Sequence, residues 1–223
     1  MIASWRDRVL VVAPHADDET LGCGGLLCSQ LDEHQSRVLV LTIGKDAHAN
    51  GNEQTVQELG LAMSRLGLSG SYSVAMSGMQ SRLDTVPIEE IIRVIENEIR
   101  SFKPTALLFP YSSHHQDHRV CYNACLAAAR PRAATDKVLL GLYEYPYVAA
   151  WPPPALPGGK FYLPISEEIL SQKLLALSAY ASQVDRDGAW LTAARVRSWA
   201  ATRGEEIGER YAEAFWLIRG VLQ

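Results

Sequence analysis

Long apolar runs, blocks of like charge and paired cysteines are all missing from this 223-residue sequence. No stretch reaches the ~18 consecutive apolar residues of a spanning helix, which excludes a chain built for membrane insertion. Charge of neither sign accumulates: 21 Lys+Arg face 25 Asp+Glu, a net charge of −4, so the chain is not built to coat nucleic acid or an anionic membrane. The four cysteines, Cys23, Cys28, Cys121 and Cys125, form no CxxC pair, and four thiols in a chain this long make no disulfide framework. They read as reduced, small, buried residues on helices. Met1 to Arg8 carries charges where a signal peptide needs its apolar core, so the expected location is cytoplasmic. Histidine is scarce too, yet four of the six fall within two short stretches.

What is present is a globular composition, with 48% hydrophobic and 21% charged residues, which excludes a disordered chain. The length predicts one domain over 1–223 that needs neither metal nor disulfide merely to fold. Arg8 to Ala13 (RVLVVA) and Arg37 to Ile43 (RVLVLTI) suit strands buried on both faces. Between them a Gly-rich stretch (Gly22, Gly24, Gly25) leads into a helical pattern running to about His34. Glu53 to Leu66 reads as a helix closed by Gly67, and Ile88, Ile91, Ile92, Ile95 and Ile99 form a helical stripe between Pro87 and Pro104. Thr105 to Phe109 is a third strand, Cys121 to Arg130 a helix, and Val138 to Tyr145 a fourth strand. A Pro-rich loop fills 146–160. Beyond it come a strand (Phe161 to Ile165), a helix opened by Ser166, a helical stretch near Gly188 to Arg203 and an aromatic segment, Tyr211 to Ile218. Strand–helix alternation with short links predicts a Rossmann-like α/β fold. Its mostly parallel sheet is flanked by helices and followed by a C-terminal strand/helix extension.

Chemistry concentrates at two strand ends. Pro14-His15-Ala16-Asp17-Asp18-Glu19 follows the first strand, and ligands bind at the carboxyl ends of strands in such sheets. His15 and Asp18 are natural zinc ligands, and Asp17 beside them is a candidate general base. The bland alternative is a solvated acidic turn capping a helix at Leu21. His114, His115, Asp117 and His118 follow the strand Thr105–Phe109. There His118 can open the next helix and bring its ring beside His15. His15, Asp18 and His118 then offer three protein ligands with an open position, the pattern of a catalytic rather than a structural zinc. His34 and His48, outside both clusters, read as surface residues.

PHADDETLGCGG together with HHQDHR resembles the PIG-L/LmbE-like family of zinc-dependent N-acetylglucosaminyl deacetylases. Further similar segments run through Arg130-Pro131, Tyr143-Glu144, Lys173, Ala179 to Gln183, Arg203-Gly204 and Tyr211 to Phe215, so the likeness covers almost the whole chain. The resemblance implies a zinc held by His15, Asp18 and His118, with Asp17 as general base. It implies that His115 acts as general acid or stabilises the tetrahedral intermediate, and that Asp117 orients a neighbouring histidine. The implied reaction is hydrolysis of the acetamide of an N-acetylated sugar conjugate, a small molecule, to acetate and a free amine. Two departures stand out. Ala16 replaces the motif's usual proline without changing ligand spacing. Thr55 stands where many members carry a substrate-binding arginine three residues before Glu58, and Arg82 or Arg119 could substitute.

Two other readings stand beside this one. The same site could hydrolyse a non-sugar amide or an ester, or the chain could be a binding module that lost its chemistry. A broken ligand set would mark the latter, and His15, Asp17, Asp18 and His118 are all present. Two histidines and a carboxylate would also accept Fe2+ or another divalent metal. Tyr147 and Trp151 in the Pro-rich loop could wall a sugar ring, and Lys45 could meet an anionic aglycone. The aromatic C-terminal segment could serve a homo-oligomer interface as readily as the core.

Overall fold

The computed structural model describes residues 6–30, 33–44, 51–133, 135–144, 159–184 and 191–221. Five strands run in parallel: β1 (Val9–Ala13), β2 (Ser36–Ile43), β3 (Tyr72–Ser77), β4 (Ala106–Pro110) and β5 (Leu139–Tyr143). Two more complete the sheet, β6 (Lys160–Pro164) and β7 (Ala212–Arg219), in the order β3-β2-β1-β4-β5-β7-β6. β7 pairs antiparallel with both β5 and β6. The aromatic segment at Tyr211 to Ile218 therefore forms an internal strand of the sheet, which accounts for the buried, mostly apolar first half of that strand.

The helices are α1 (Asp18–Cys28), α2 (Gly51–Arg65), α3 (Ile88–Phe102), α4 (Gln116–Ala128), α5 (Glu167–Leu177) and α6 (Ala193–Glu205). They flank the sheet in two groups, α1, α2, α5 and α6 in one and α3 with α4 in the other. Residues Val9 to Val12 are 0% exposed, which is why β1 reads as a continuous apolar run rather than an alternation. Ser166 opens α5 by accepting the Ile169 N–H at 3.3 Å, which ties one orphan donor of the first turn. On α3 the core face is Ile91, Ile95, Ile99 and Phe102, while Ile88 is exposed.

Several sequence expectations need correction. β3 escaped the sequence reading because it is an edge strand, half-buried along most of its length, without the dense aliphatic run of its neighbours. The Gly-rich stretch does not precede a helix but lies inside α1, and that helix ends at Cys28 rather than near His34. The glycines admit side chains from other elements: a Cβ on Gly22 would fall 2.1 Å from Tyr143 Cδ2, and one on Gly25 2.9 Å from Glu213 Cδ. α4 starts at Gln116, earlier than expected, so His115 rather than His118 caps it. The Pro-rich loop lies outside the described residues, apart from 159 and 160. All four cysteines are free thiols; Cys23, Cys121 and Cys125 are buried and Cys28 half-buried. Among the described residues no helix is long and apolar enough to cross a membrane.

Candidate active site

Strand order reverses between β1 and β4, and both His/Asp motifs leave the sheet from the carboxyl ends of these two neighbours. A crevice opens at such a switch point because the connections depart to opposite sides. His15 stands just past β1, after Pro14, and Asp18 is the first residue of α1, so a tight turn brings them together. The Asp18 carboxylate accepts the His15 backbone N–H at 3.2 Å, which fixes the turn. Its Oδ2 also lies 3.3 Å from His15 Nδ1 and 3.3 Å from His118 Nε2. His118 reaches this point from the first turn of α4. The three ligand atoms lie within 4.8 Å of one another, and all three residues are buried.

These residues fit a divalent metal on two counts. Two imidazole nitrogens and a carboxylate oxygen are a donor set that zinc favours. Bonds of 2.0–2.1 Å to a tetrahedral zinc imply ligand–ligand edges of roughly 3.3 Å, the spacing seen on both sides of Asp18. The electrostatics agree. Burial alone would lower the His15 imidazolium, but hydrogen bonds and charge from Asp117, Asp18 and Asp17 push it up to about 10. Burial likewise opposes ionisation of Asp18, yet His118 and His15 hold it well below the usual carboxylate range. The surrounding carboxylates thus favour positive charge at this cluster, as a divalent cation would supply.

Asp117 is fully buried, and its Oδ2 lies 2.7 Å from His15 Nε2. It also accepts the backbone N–H groups of Ser81 at 2.6 Å and Leu83 at 2.9 Å, tethering the segment before α3 to the site. Burial raises its proton affinity, but His15 and the two amides outweigh it and hold the carboxyl below its ordinary range. His115 caps α4, its Nδ1 accepting the Asp117 N–H at 3.2 Å. Its ring centroid stands 5.0 Å from that of His15 and 5.2 Å from that of His118. Burial, then the positive character of His15 and His118, lowers its proton affinity. His115 is therefore neutral, with its one proton on Nε2.

Asp17 is half-buried at the N-cap of α1, with φ 122° and ψ −33°. A non-glycine residue held there stores about 1–3 kcal/mol, and such strain clusters where geometry serves function. Its side chain makes no capping hydrogen bond. Burial and the neighbouring Asp18 and Glu19 charges raise its proton affinity well above the usual range.

The remaining candidates scatter. Arg82 is exposed between the two tethered residues Ser81 and Leu83, and its side chain has no partner among the described residues. Arg119 is exposed and donates to the His114 carbonyl at 3.0 Å. Thr55 is half-buried, while Glu58 is buried and accepts the Ser182 N–H and hydroxyl at 2.9 and 2.6 Å, a structural tie. His34 is exposed; Lys45, His48, Tyr147 and Trp151 lie outside the described residues. Sequence reading assigned no role to Glu19, Lys173 or Glu213. Lys173 donates to Glu213 at 2.6 Å and to the Leu21 carbonyl at 2.8 Å, while Glu213 accepts the Gly25 and Leu26 N–H groups at 2.6 and 2.8 Å. This buried pair anchors the helix that carries Asp18.

Fold and site together define an α/β protein with a carboxylate-backed His2Asp cluster at the switch point of its sheet. The family described as GlcNAc-PI de-N-acetylase, PIG-L, matches residues 10–129, and the chain belongs to that family of de-N-acetylases. Solved structures agree on the fold. The conserved protein TT1542 from Thermus thermophilus is 27% identical, with a TM-score of 0.73 and 96% of each chain covered. An A40926 pseudoaglycone deacetylase is 24% identical, TM-score 0.76, covering 98% of this chain and 100% of its own. The N,N'-diacetylchitobiose deacetylase from Pyrococcus horikoshii is 19% identical, TM-score 0.72, covering 95% and 84%.

Proposed function

We propose that the chain is a metal-dependent hydrolase that removes the N-acetyl group from an N-acetylated amino sugar or sugar conjugate. The observation that carries this reading is the His15–Asp18–His118 cluster, whose two 3.3 Å edges at Asp18 suit one small divalent ion, zinc or a similar metal. Membership of a de-N-acetylase family supports the amide as the bond broken. Continuity of the sheet from β3 to β6 supports reading the chain as one domain.

When bound, zinc would lower the pKa of its bound water toward ~7 and polarise the acetamide carbonyl. The residues of the chain supply the rest. Asp17, uncommitted to the helix cap and with raised proton affinity, takes the proton from the attacking water. The neutral His115, with its proton on Nε2, donates to the oxygen that gains charge as the carbonyl becomes tetrahedral. Asp117 fixes the His15 ring through Nε2, leaving Nδ1 toward the metal. The C–N bond then breaks, the water oxygen stays with the acetyl carbon, and the water's proton ends on the departing amine.

The test is acetate release from a panel of N-acetylglucosamine conjugates and non-sugar acetamides, with bound metal measured alongside. Expected are one divalent ion per chain, preference for the sugars, and a loss of about 10²–10⁴-fold in Asp17→Asn with the metal retained. Acetate release that survives complete chelation would overturn the reading.

A further inference from the structure

Glu19 is fully buried, and it lies outside the metal cluster. Its two oxygens are committed to opposite sides. Oε2 accepts the Asp17 backbone N–H at 3.0 Å. Oε1 accepts the hydroxyl of Thr20 at 2.5 Å and that of Tyr180 at 2.6 Å. Thr20 and Tyr180 are also fully buried, and Tyr180 comes from the turn after α5, 161 residues along the chain. A carboxylate reaching two residues back to an N-cap amide, gripped from behind by two hydroxyls, is more than a satisfied core acid needs. The N–H it holds belongs to the residue with φ 122°.

An aspartate at an N-cap ordinarily takes β-region dihedrals and turns its carboxylate onto the amides of the first turn. Asp17 does neither. Its carbonyl still accepts the Leu21 N–H at 2.9 Å, so the helix is entered normally, and the departure is confined to the peptide that Glu19 holds. Released from that hold, the backbone would relax toward an ordinary conformation and the carboxylate would fold onto the helix end.

We infer that Glu19, braced by Tyr180 and Thr20, is a positioning residue that locks the Asp17 backbone in its left-handed conformation and so keeps the Asp17 carboxylate out of the helix cap and available to the substrate. This rests on the reading of Asp17 as the base. Glu19 itself touches neither substrate nor metal; it acts through Asp17.

Three variants test it: Glu19→Ala, Glu19→Gln and Tyr180→Phe, each alone and combined with Asp17→Asn. Glu19→Ala is expected to lower kcat by about 100-fold with KM changed less than about 3-fold and metal content intact. Glu19→Gln recovers most of the activity, because its amide oxygen can accept the Asp17 N–H while its NH2 donates to Tyr180. Tyr180→Phe falls between. In the Asp17→Asn background Glu19→Ala costs less than about 2-fold, since a residue that works through Asp17 has nothing left to position. A merely structural residue would cost the same in both backgrounds.

A second readout needs neither metal nor substrate. In the metal-free protein the Asp17 amide should exchange at least ~10-fold faster in Glu19→Ala than in wild type, while the Leu21 amide keeps its protection. Wild-type kcat in Glu19→Ala, equal losses in both backgrounds, or unchanged Asp17 exchange would each overturn the inference. Should Glu19→Ala fail to fold, Tyr180→Phe carries the same comparisons, and the same outcomes support or overturn it. Full activity in Asp17→Asn would instead overturn the assigned base, and amide exchange would still decide whether Glu19 holds that peptide.

Discussion

Asp117 and His15 meet at 2.7 Å, a residue of the motif after one strand gripping a residue of the motif after its neighbour. The imidazole nitrogen on the far side of that contact is the one 3.3 Å from Asp18. One buried carboxylate therefore sets the tautomer and plane of the His15 imidazole while its remaining capacity holds Ser81 and Leu83. Three separate segments of the chain converge on it, and each depends on the others for its geometry.

Asp117→Asn is expected to weaken zinc binding by about 10–100-fold, because the amide is a poorer acceptor for the His15 Nε2–H and leaves the ligand less basic. Competition against a chromophoric chelator measures this directly. Unchanged affinity would show that the contact orients nothing.

The metal-free chain should lose stability as pH rises. His15 stands at about 10 when folded against 6.5 in a free imidazole, so the folded state holds a proton more tightly than the unfolded one. That contribution is complete below pH 6.5 and disappears as pH climbs through 10. Chelated protein melted across that range should show a falling Tm. Zinc binding near pH ~8, between those two values, should release at least the one proton displaced from His15, read by calorimetry in buffers of different ionisation enthalpy.

Gly22→Ala places a methyl group 2.1 Å from the Tyr143 ring, which is itself fixed by its hydroxyl donating to the Val12 carbonyl at 3.1 Å. Neither partner has room to yield, so urea denaturation should show a loss of about 1–3 kcal/mol or more. A neutral result would mean that α1 can slide away from β5.

Breaking the Lys173–Glu213 pair from either side should cost about 3–5 kcal/mol, since both groups are buried. The two sides are not equal. Glu213→Leu strands the Gly25 and Leu26 amides as well as the ammonium, whereas Lys173→Met leaves Glu213 with both amides still bound. Denaturant midpoints should rank Glu213→Leu below Lys173→Met.

The parallel core was legible in the sequence because β1, β2 and β4 are buried on both faces and their aliphatic runs say so locally. The two motifs were legible for a related reason: each follows one of those runs, and strand ends are where chemistry sits. β3 was invisible, since an edge strand does not need a dense apolar run. The placement of β7 between β5 and β6 could not be read either, because pairing across such distances leaves no local periodicity. Glu19 shows the same limit at the site. It stands inside the most conspicuous motif of the chain, yet its work is defined by Tyr180, and nothing across the 161-position separation announces that they meet.

The anchoring of α1 by Glu213 carries a consequence for synthesis. A further 188 residues separate Gly25 from the side chain that accepts its amide, and β7, which bears Glu213, must wedge between two strands already made. On the ribosome, then, His15 and Asp18 emerge early but sit on a helix still lacking its fastening. An aborted or truncated product ending before β7 would leave Lys173 without its counter-charge and the His15–Asp18 turn on a loosened support. In this order of synthesis the His15–Asp18–His118 cluster gains its full support late.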